Sequence, residues 1–176
     1  QETHYDNLGR VYQRINWDVN PSTGPTSNKL VDNLFYDATG NLEKEKTAGD
    51  ESYQRMVYDG VGRVTQRLVA YNAGAGEIVM QQEDMTLDAA SSVTQRTLRE
   101  RFHDATGTGD LKGPSGDQPH ARISYEAYYP DALGRQQAVA NYGTNGATSF
   151  IRSTTIPPRA DTVLVTSNEF DDTGEN

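Results

Sequence analysis

At 176 residues the chain is long enough for a large domain, yet only 34% of it is hydrophobic, and its rings are 10 Tyr against 4 Phe and 1 Trp. Tyrosines tolerate water at one end, so this composition suits an extended or hollow sheet with modest cores better than a single dense one. A net charge of −9 disfavours nucleic acid and anionic membrane as partners, the absence of Cys excludes disulfides and thiolate metal sites, and no apolar run approaches membrane-spanning length.

In chain order, one pattern recurs: an aromatic, Asp, two variable residues, Gly, a polar residue and an aliphatic. Tyr5, Asp6, Gly9, Arg10 and Val11 spell it first; Tyr36, Asp37, Gly40, Asn41 and Leu42 spell it again; Tyr58, Asp59, Gly62, Arg63 and Val64 give a third copy. Leu87, Asp88, Ser91, Ser92 and Val93 make a decayed copy, and Phe102 and Gly107 around an inserted Asp104 make a weak one. Tyr129, Asp131, Gly134 and Arg135 follow, with Pro130 inserted, and Phe170, Asp171 and Gly174 come last. The spacing from Asp to Gly fits a type I turn capped by Asp, followed by a Gly at positive φ. Such a turn with a Gly bulge joins antiparallel strands, so each copy reads as a hairpin tip. The aromatic and the aliphatic that bracket it, Tyr58 and Val64 for example, are then cross-strand neighbours that fix the register.

The segments between tips alternate in the manner of strands: 53–58, 63–71, 77–87 and 92–102, with a turn at 72–76. Across 63–70, Arg63, Thr65, Arg67 and Val69 share one face and Val64, Gln66, Leu68 and Ala70 the other. Residues 91–102 also permit an amphipathic helix through Val93, Leu98 and Phe102, but the neighbouring strands and turns favour strand. Gly and Pro mark long loops at 20–28, 105–119 and 142–159. The fold class is therefore all-β, an antiparallel hairpin meander. No composition shift marks a domain boundary, and a chain that starts and stops at tips reads as residues 1–176 of a longer repeat protein.

The motif at Tyr5–Val11 and Tyr58–Val64 resembles the YD repeats of the Rhs family, which takes in polymorphic toxins, toxin-complex cocoon subunits, teneurins and Rhs-like proteins of environmental bacteria. The resemblance runs from Tyr5 to Gly174. It implies hairpin strips spiralling into a hollow β-shell or an extended sheet assembly, secreted or at the cell surface. It also implies partners: further YD repeats of the same chain, an enclosed effector domain or identical subunits. No Asp-Pro pair occurs in the chain, so the family's self-cleavage junction cannot be carried over to any residue.

Chemistry is otherwise sparse. His4, His103 and His120 stand beside tips or in loops, and no Gly-x-Ser-x-Gly elbow exists for a nucleophile. Asp104, Thr106, Thr108 and Asp110 alternate oxygen donors, but they lack the bidentate Glu of a Ca²⁺ loop. Arg10, Arg63 and Arg135 read as ion-pair partners of the tip Asp residues. Tyr125, Tyr128, Tyr129 and Tyr142 form the densest aromatic cluster, open to two readings, inter-strand packing or a carbohydrate platform. The expectation is a non-enzymatic structural segment with no cofactor and no metal, part of a shell that encloses a C-terminal toxin. The alternative is a self-assembling extracellular fibre or adhesion scaffold.

Overall fold

A computed structural model describes residues 1–74 and 76–170. Its strands are β1 (Glu2–Tyr5), β2 (Val11–Asn20), β3 (Gly24–Tyr36), β4 (Leu42–Lys46), β5 (Ser52–Tyr58), β6 (Val64–Ala73), β7 (Gly76–Leu87), β8 (Val93–Arg101), β9 (Ala121–Pro130), β10 (Gln136–Gly143) and β11 (Leu164–Ser167). They form one 11-stranded sheet whose spatial order is the sequence order, and every neighbouring pair is antiparallel. The all-β meander read from the sequence is therefore the observed architecture. Residues 93–101 are strand, and the helical alternative for that stretch is not taken: Arg96 and Leu98 pair with Met85 and Glu83 on one side and Glu126 and Ser124 on the other.

A meander with no crossover sends its connections alternately to opposite ends of the sheet. Turns at 6–10, 37–41, 59–63, 88–92 and 131–135 lie at one end. The connections at 21–23, 47–51, 102–120 and 144–163 lie at the other, as do the facing strand ends Ala73 and Gly76. This parity corrects the weak motif copy at Phe102 and Gly107. That segment belongs to the end opposite the tips, where the Phe102 amide donates to the His120 carbonyl at 3.1 Å and the chain departs into a long loop. The expected loop at 20–28 is also shorter than the Gly and Pro content suggested. The Asn20 side-chain carbonyl accepts from the Ser22 amide at 2.8 Å, Gly24 takes φ 84°, and Pro25 enters β3 opposite Val19. Pro is tolerated there because that stretch of β3 has no partner on its far side.

Register decides the faces. Arg55, Leu68, Gln82, Arg99 and Ile123 are successive cross-strand partners, so their side chains stand on one face. Tyr53, Ala70 and Val79 make a parallel row and, with Leu68, Leu111 and Ala121, one buried cluster. A second cluster joins Ala127, Tyr129, Ala138, Ala140 and Val165, with Tyr142, Phe150 and Val163 packed against it. Gln95, which pairs with Ala127, shares its side of β8 with Arg99, so both clusters occupy the same face. Leu111 and Phe150 come from the two long loops, which fold back as lids. Alanines on the floor let those lids lie flat.

The opposite face carries charge in place of a lid. Arg96 pairs with Glu83 and lies 3.4 Å from Glu126, while Arg67 lies 3.6 Å from Glu83. Partly exposed pairs of this kind contribute at most about 1 kcal/mol each.

Candidate functional site: a row of hairpin tips

Each tip is closed by the same short set of bonds. The Asp amide donates to the carbonyl four residues on, and the residue in the Gly position donates back to the Asp carbonyl. The pair of distances is 2.9 and 3.0 Å at Asp6, 2.9 and 3.1 Å at Asp37, 2.9 and 3.0 Å at Asp59, 3.0 and 3.1 Å at Asp88, and 2.9 and 2.9 Å at Asp131. The Asp carboxylate caps the turn from inside. In the Asp59 tip its Oδ1 accepts from the Val61 and Arg63 amides, both at 3.0 Å, and its Oδ2 from Arg63 Nε at 2.7 Å. Asp6 and Asp131 repeat this with Leu8 and Arg10 and with Leu133 and Arg135. Asp37 uses Thr39 and Asn41.

Gly is required because the fourth residue sits at φ 76° in Gly9, 94° in Gly40, 82° in Gly62 and 79° in Gly134. The decayed copy keeps the turn at a cost, with Ser91 at φ 69°. Immediately inward of each turn the register shifts by one residue, as between Val57 and Tyr58 with Tyr58 opposite Val64. The extra residue is Thr65 in that tip and Thr94 in the Asp88 tip, and each hydroxyl donates to a carbonyl across the bulge, Val57 at 3.3 Å and Thr86 at 3.1 Å. The bulge increases local twist.

One sequence assignment shifts. In the fifth copy the residue opposite the strand start is Pro130, paired with Gln136, and not Tyr129. Tyr129 is buried on the lidded face beneath the Arg152 guanidinium, 4.6 Å from its ring centre. Pro130 therefore stands in the aromatic position rather than being an insertion. Phe170 is described; Asp171 and Gly174 lie outside the described residues.

Successive tips also lock sideways. Tyr36 donates its hydroxyl to the Val11 carbonyl at 2.7 Å, and Tyr58 does the same to Leu42 at 2.8 Å. The Arg10 guanidinium lies 4.5 Å from the centre of the Tyr36 ring, and Arg135 lies 4.4 Å from that of Phe170. Where the next tip offers Leu87 in place of a ring, Arg63 reaches the Asp88 carbonyl at 2.8 Å instead. Each cation thus holds its own Asp and reaches forward to the next tip. Nothing in the spacing within one motif signals this; only the order of motifs in the sheet does.

These bonds set the electrostatics of the row. The backbone amides of Arg10 and Arg63 come first among the contacts that hold the Asp6 and Asp59 carboxyls below the ordinary carboxylate range. At Asp131 partial burial pushes upward, but the bonds from Arg135 outweigh it and the carboxyl is lowered. Asp37 is lowered to about 2, chiefly by the Thr39 hydroxyl, with desolvation opposing it and the Asn41 side-chain and backbone donors adding to it.

The remaining candidate groups are not gathered. His4 bonds Glu2 at 2.6 Å, the His120 ring contacts the Gly116 carbonyl at 2.9 Å, and His103 is exposed in the loop after β8. Among the described residues no three His, Cys, Asp or Glu side chains converge as metal ligands. In the loop, Gly109 pairs alongside β7 by donating to the Glu77 carbonyl at 3.0 Å, and the Thr106 amide donates to Gln118 at 3.0 Å, an arrangement that holds the lid. Tyr125 stacks on Phe150 at 5.0 Å and Tyr142 lies 4.6 Å from the same ring, whereas Tyr128 points from the opposite face and bonds Glu126 at 2.7 Å. The cluster's rings are thus divided between two faces, and three of them pack on the chain's own lid.

No family model matches the sequence, and no curated protein matches it. Similar solved structures include one titled TcdB2-TccC3-Cdc42, at 15% identity and a TM-score of 0.44 over 79% of this chain and 7% of that one. A TcdB2-TccC3 structure matches at 15% identity and a TM-score of 0.45, covering 79% and 8%. A TcdB2-TccC3-TEV structure gives 11% and 0.26, covering 98% and 12%. The chain thus spans a small fraction of the length of each of these three chains. The likeness to YD repeats stands on the tips themselves.

Proposed function

We propose that this chain is a non-enzymatic structural segment of a secreted or surface Rhs/YD-repeat protein, forming part of the wall of a hollow β-shell around a C-terminal effector. One observation carries the reading: the motif copies at Asp6, Asp37, Asp59, Asp88 and Asp131, separated by unequal lengths of chain, deliver the same turn to the same end of one uninterrupted sheet. Among the described residues, those singled out by the motif hold the backbone and one another. The lidded face supports the wall role, because loops of the chain itself cover it with small cores while the other face is charged and wet.

Electron cryo-microscopy of the intact protein is the test. A closed wall that contains this sheet, with further density inside it, is the expected result. Sheets joined edge to edge along an open axis would replace the shell with an extracellular fibre.

A further inference from the structure

The two long lids meet around a space that the wall role leaves unused. Its floor is Phe102, just past β8, with Ile123 and Tyr125 of β9, all three half-buried. Pro114 of the 102–120 lid walls it on one side, and Thr144 and Thr148 of the 144–163 lid on the other, all exposed at the mouth. The cavity holds about 230 Å³, and the surface that faces it is almost entirely apolar. A dry apolar cavity of roughly 150 Å³ accepts a benzene ring, so this one has room for a bicyclic ring system.

The polar groups beside the cavity are already satisfied. Arg122 contributes to the lining, but its guanidinium bonds Glu100, with Nε 3.1 Å from the carboxylate. The Thr148 hydroxyl donates to the Asn145 carbonyl at 2.7 Å and accepts from Asn145 Nδ2 at 2.9 Å. A charged guest would give up its hydration with no partner waiting for it, whereas a neutral apolar guest gains by leaving water. The lining also favours a ring over a chain. Phe150 covers one side of Tyr125, with centroids 5.0 Å apart and planes 26° from parallel, and the rest of that ring lines the cavity together with Phe102. Offset-stacked and edge-to-face contacts with such rings reward an aromatic guest beyond the area it buries.

We infer that this cavity is a binding site for a small, neutral, bicyclic aromatic molecule of about the size of indole. The site needs only the two lids and β9, so it stands whether or not the sheet belongs to a closed wall. A guest held there touches both lids at once and ties the 102–120 segment to the 144–163 segment. Binding therefore stabilises the irregular end of the sheet and leaves the row of tips untouched.

The test titrates the whole chain with indole while the methyl signals of Ile123, Ala147 and Thr148 are followed by NMR. The expected result is a saturable shift centred on those methyls with a Kd of about 1 mM or tighter, and a higher melting temperature at saturating indole. Indole-3-acetate presents the same ring with a carboxylate and should bind about tenfold more weakly. Thr144→Phe and Pro114→Phe fill the cavity from opposite walls. Both positions are exposed, and the Thr144 side chain makes no capping bond, so protection of the sheet amides should show both variants folded. Each should abolish saturable binding. No saturable shift with indole would overturn the site, as would equal affinity for indole-3-acetate or undiminished binding in the folded variants. Should a variant fail to fold, the contrast between indole and indole-3-acetate on the unsubstituted chain still decides.

Discussion

The two ends of the sheet follow different rules. At the tip end a few residues specify the turn: Asp caps, Gly or Ser turns, and at Asp6, Asp59 and Asp131 an Arg clamps its own Asp and reaches forward along the row, while the backbone bonds of the turn recur at every described tip. At the opposite end no motif recurs and the connections range from the two residues between β6 and β7 to the long segments 102–120 and 144–163. Yet that irregular end supplies Leu111 and Phe150, which complete the cores. The repeat sets strand order and register, and the unrepeated loops provide much of the burial. Regularity and stability thus come from different parts of the chain.

Changes at each end should separate these roles, and the largest effect should come from the lid. Leu111 is 3% exposed within the first cluster, so Leu111→Ala should cost about 2–4 kcal/mol by chemical denaturation, with the tip amides still protected at low denaturant. Next, Gly62→Val places a β-branched residue at φ 82° and should cost about 2 kcal/mol, with the loss of protection centred on the Asp59 tip. An equal loss of protection at the lid would erase the distinction between the two ends.

Acid should act on the tip end. The tip carboxyls are lowered in the folded chain, so their stabilisation is complete above the unfolded value near pH 4 and is lost as pH falls through the folded values, to about 2 for Asp37. Thermal melts should therefore decline between pH 4 and pH 2, and Asp37→Asn should flatten that decline. A smaller gain is expected from Ser91→Gly, which relieves a non-Gly residue at φ 69° and should stabilise by about 1 kcal/mol. Smallest of all, two residues inserted next to Gly116, in the exposed stretch of the long lid, should shift stability by no more than about 0.5 kcal/mol.

How much was legible follows the same division. Tips with an intact Asp and Gly were readable because the turn needs those two residues locally, and even the decayed copy kept Asp88. Phe102 misled because an aromatic, an Asp and a Gly in loose order imitate the motif, while only strand parity shows that they fall at the wrong end. Tyr129 misled because two tyrosines precede Pro130 and composition alone does not say which one faces the core. The loop at 20–28 was overextended because Pro25 reads as a breaker, although an unpaired strand edge accepts it. Leu111 was invisible: a lone aliphatic among Gly, Asp and Lys gives no periodic signal, and its burial depends on a lid folding back over strands distant in sequence.

The most direct test of the row of tips exploits the absence of native cysteine. Cysteine pairs placed at Leu8 and Thr39, and separately at Val61 and Ala90, sit on neighbouring tips two strand spacings apart, about 10 Å. A bis-maleimide of about that span should join each pair efficiently within one folded chain, and should leave Leu8 with Ser22, at opposite ends of β2 and about 33 Å apart, unjoined. Cross-linking of Leu8 to Ser22, or none between neighbouring tips, would contradict a single edge built of repeated tips.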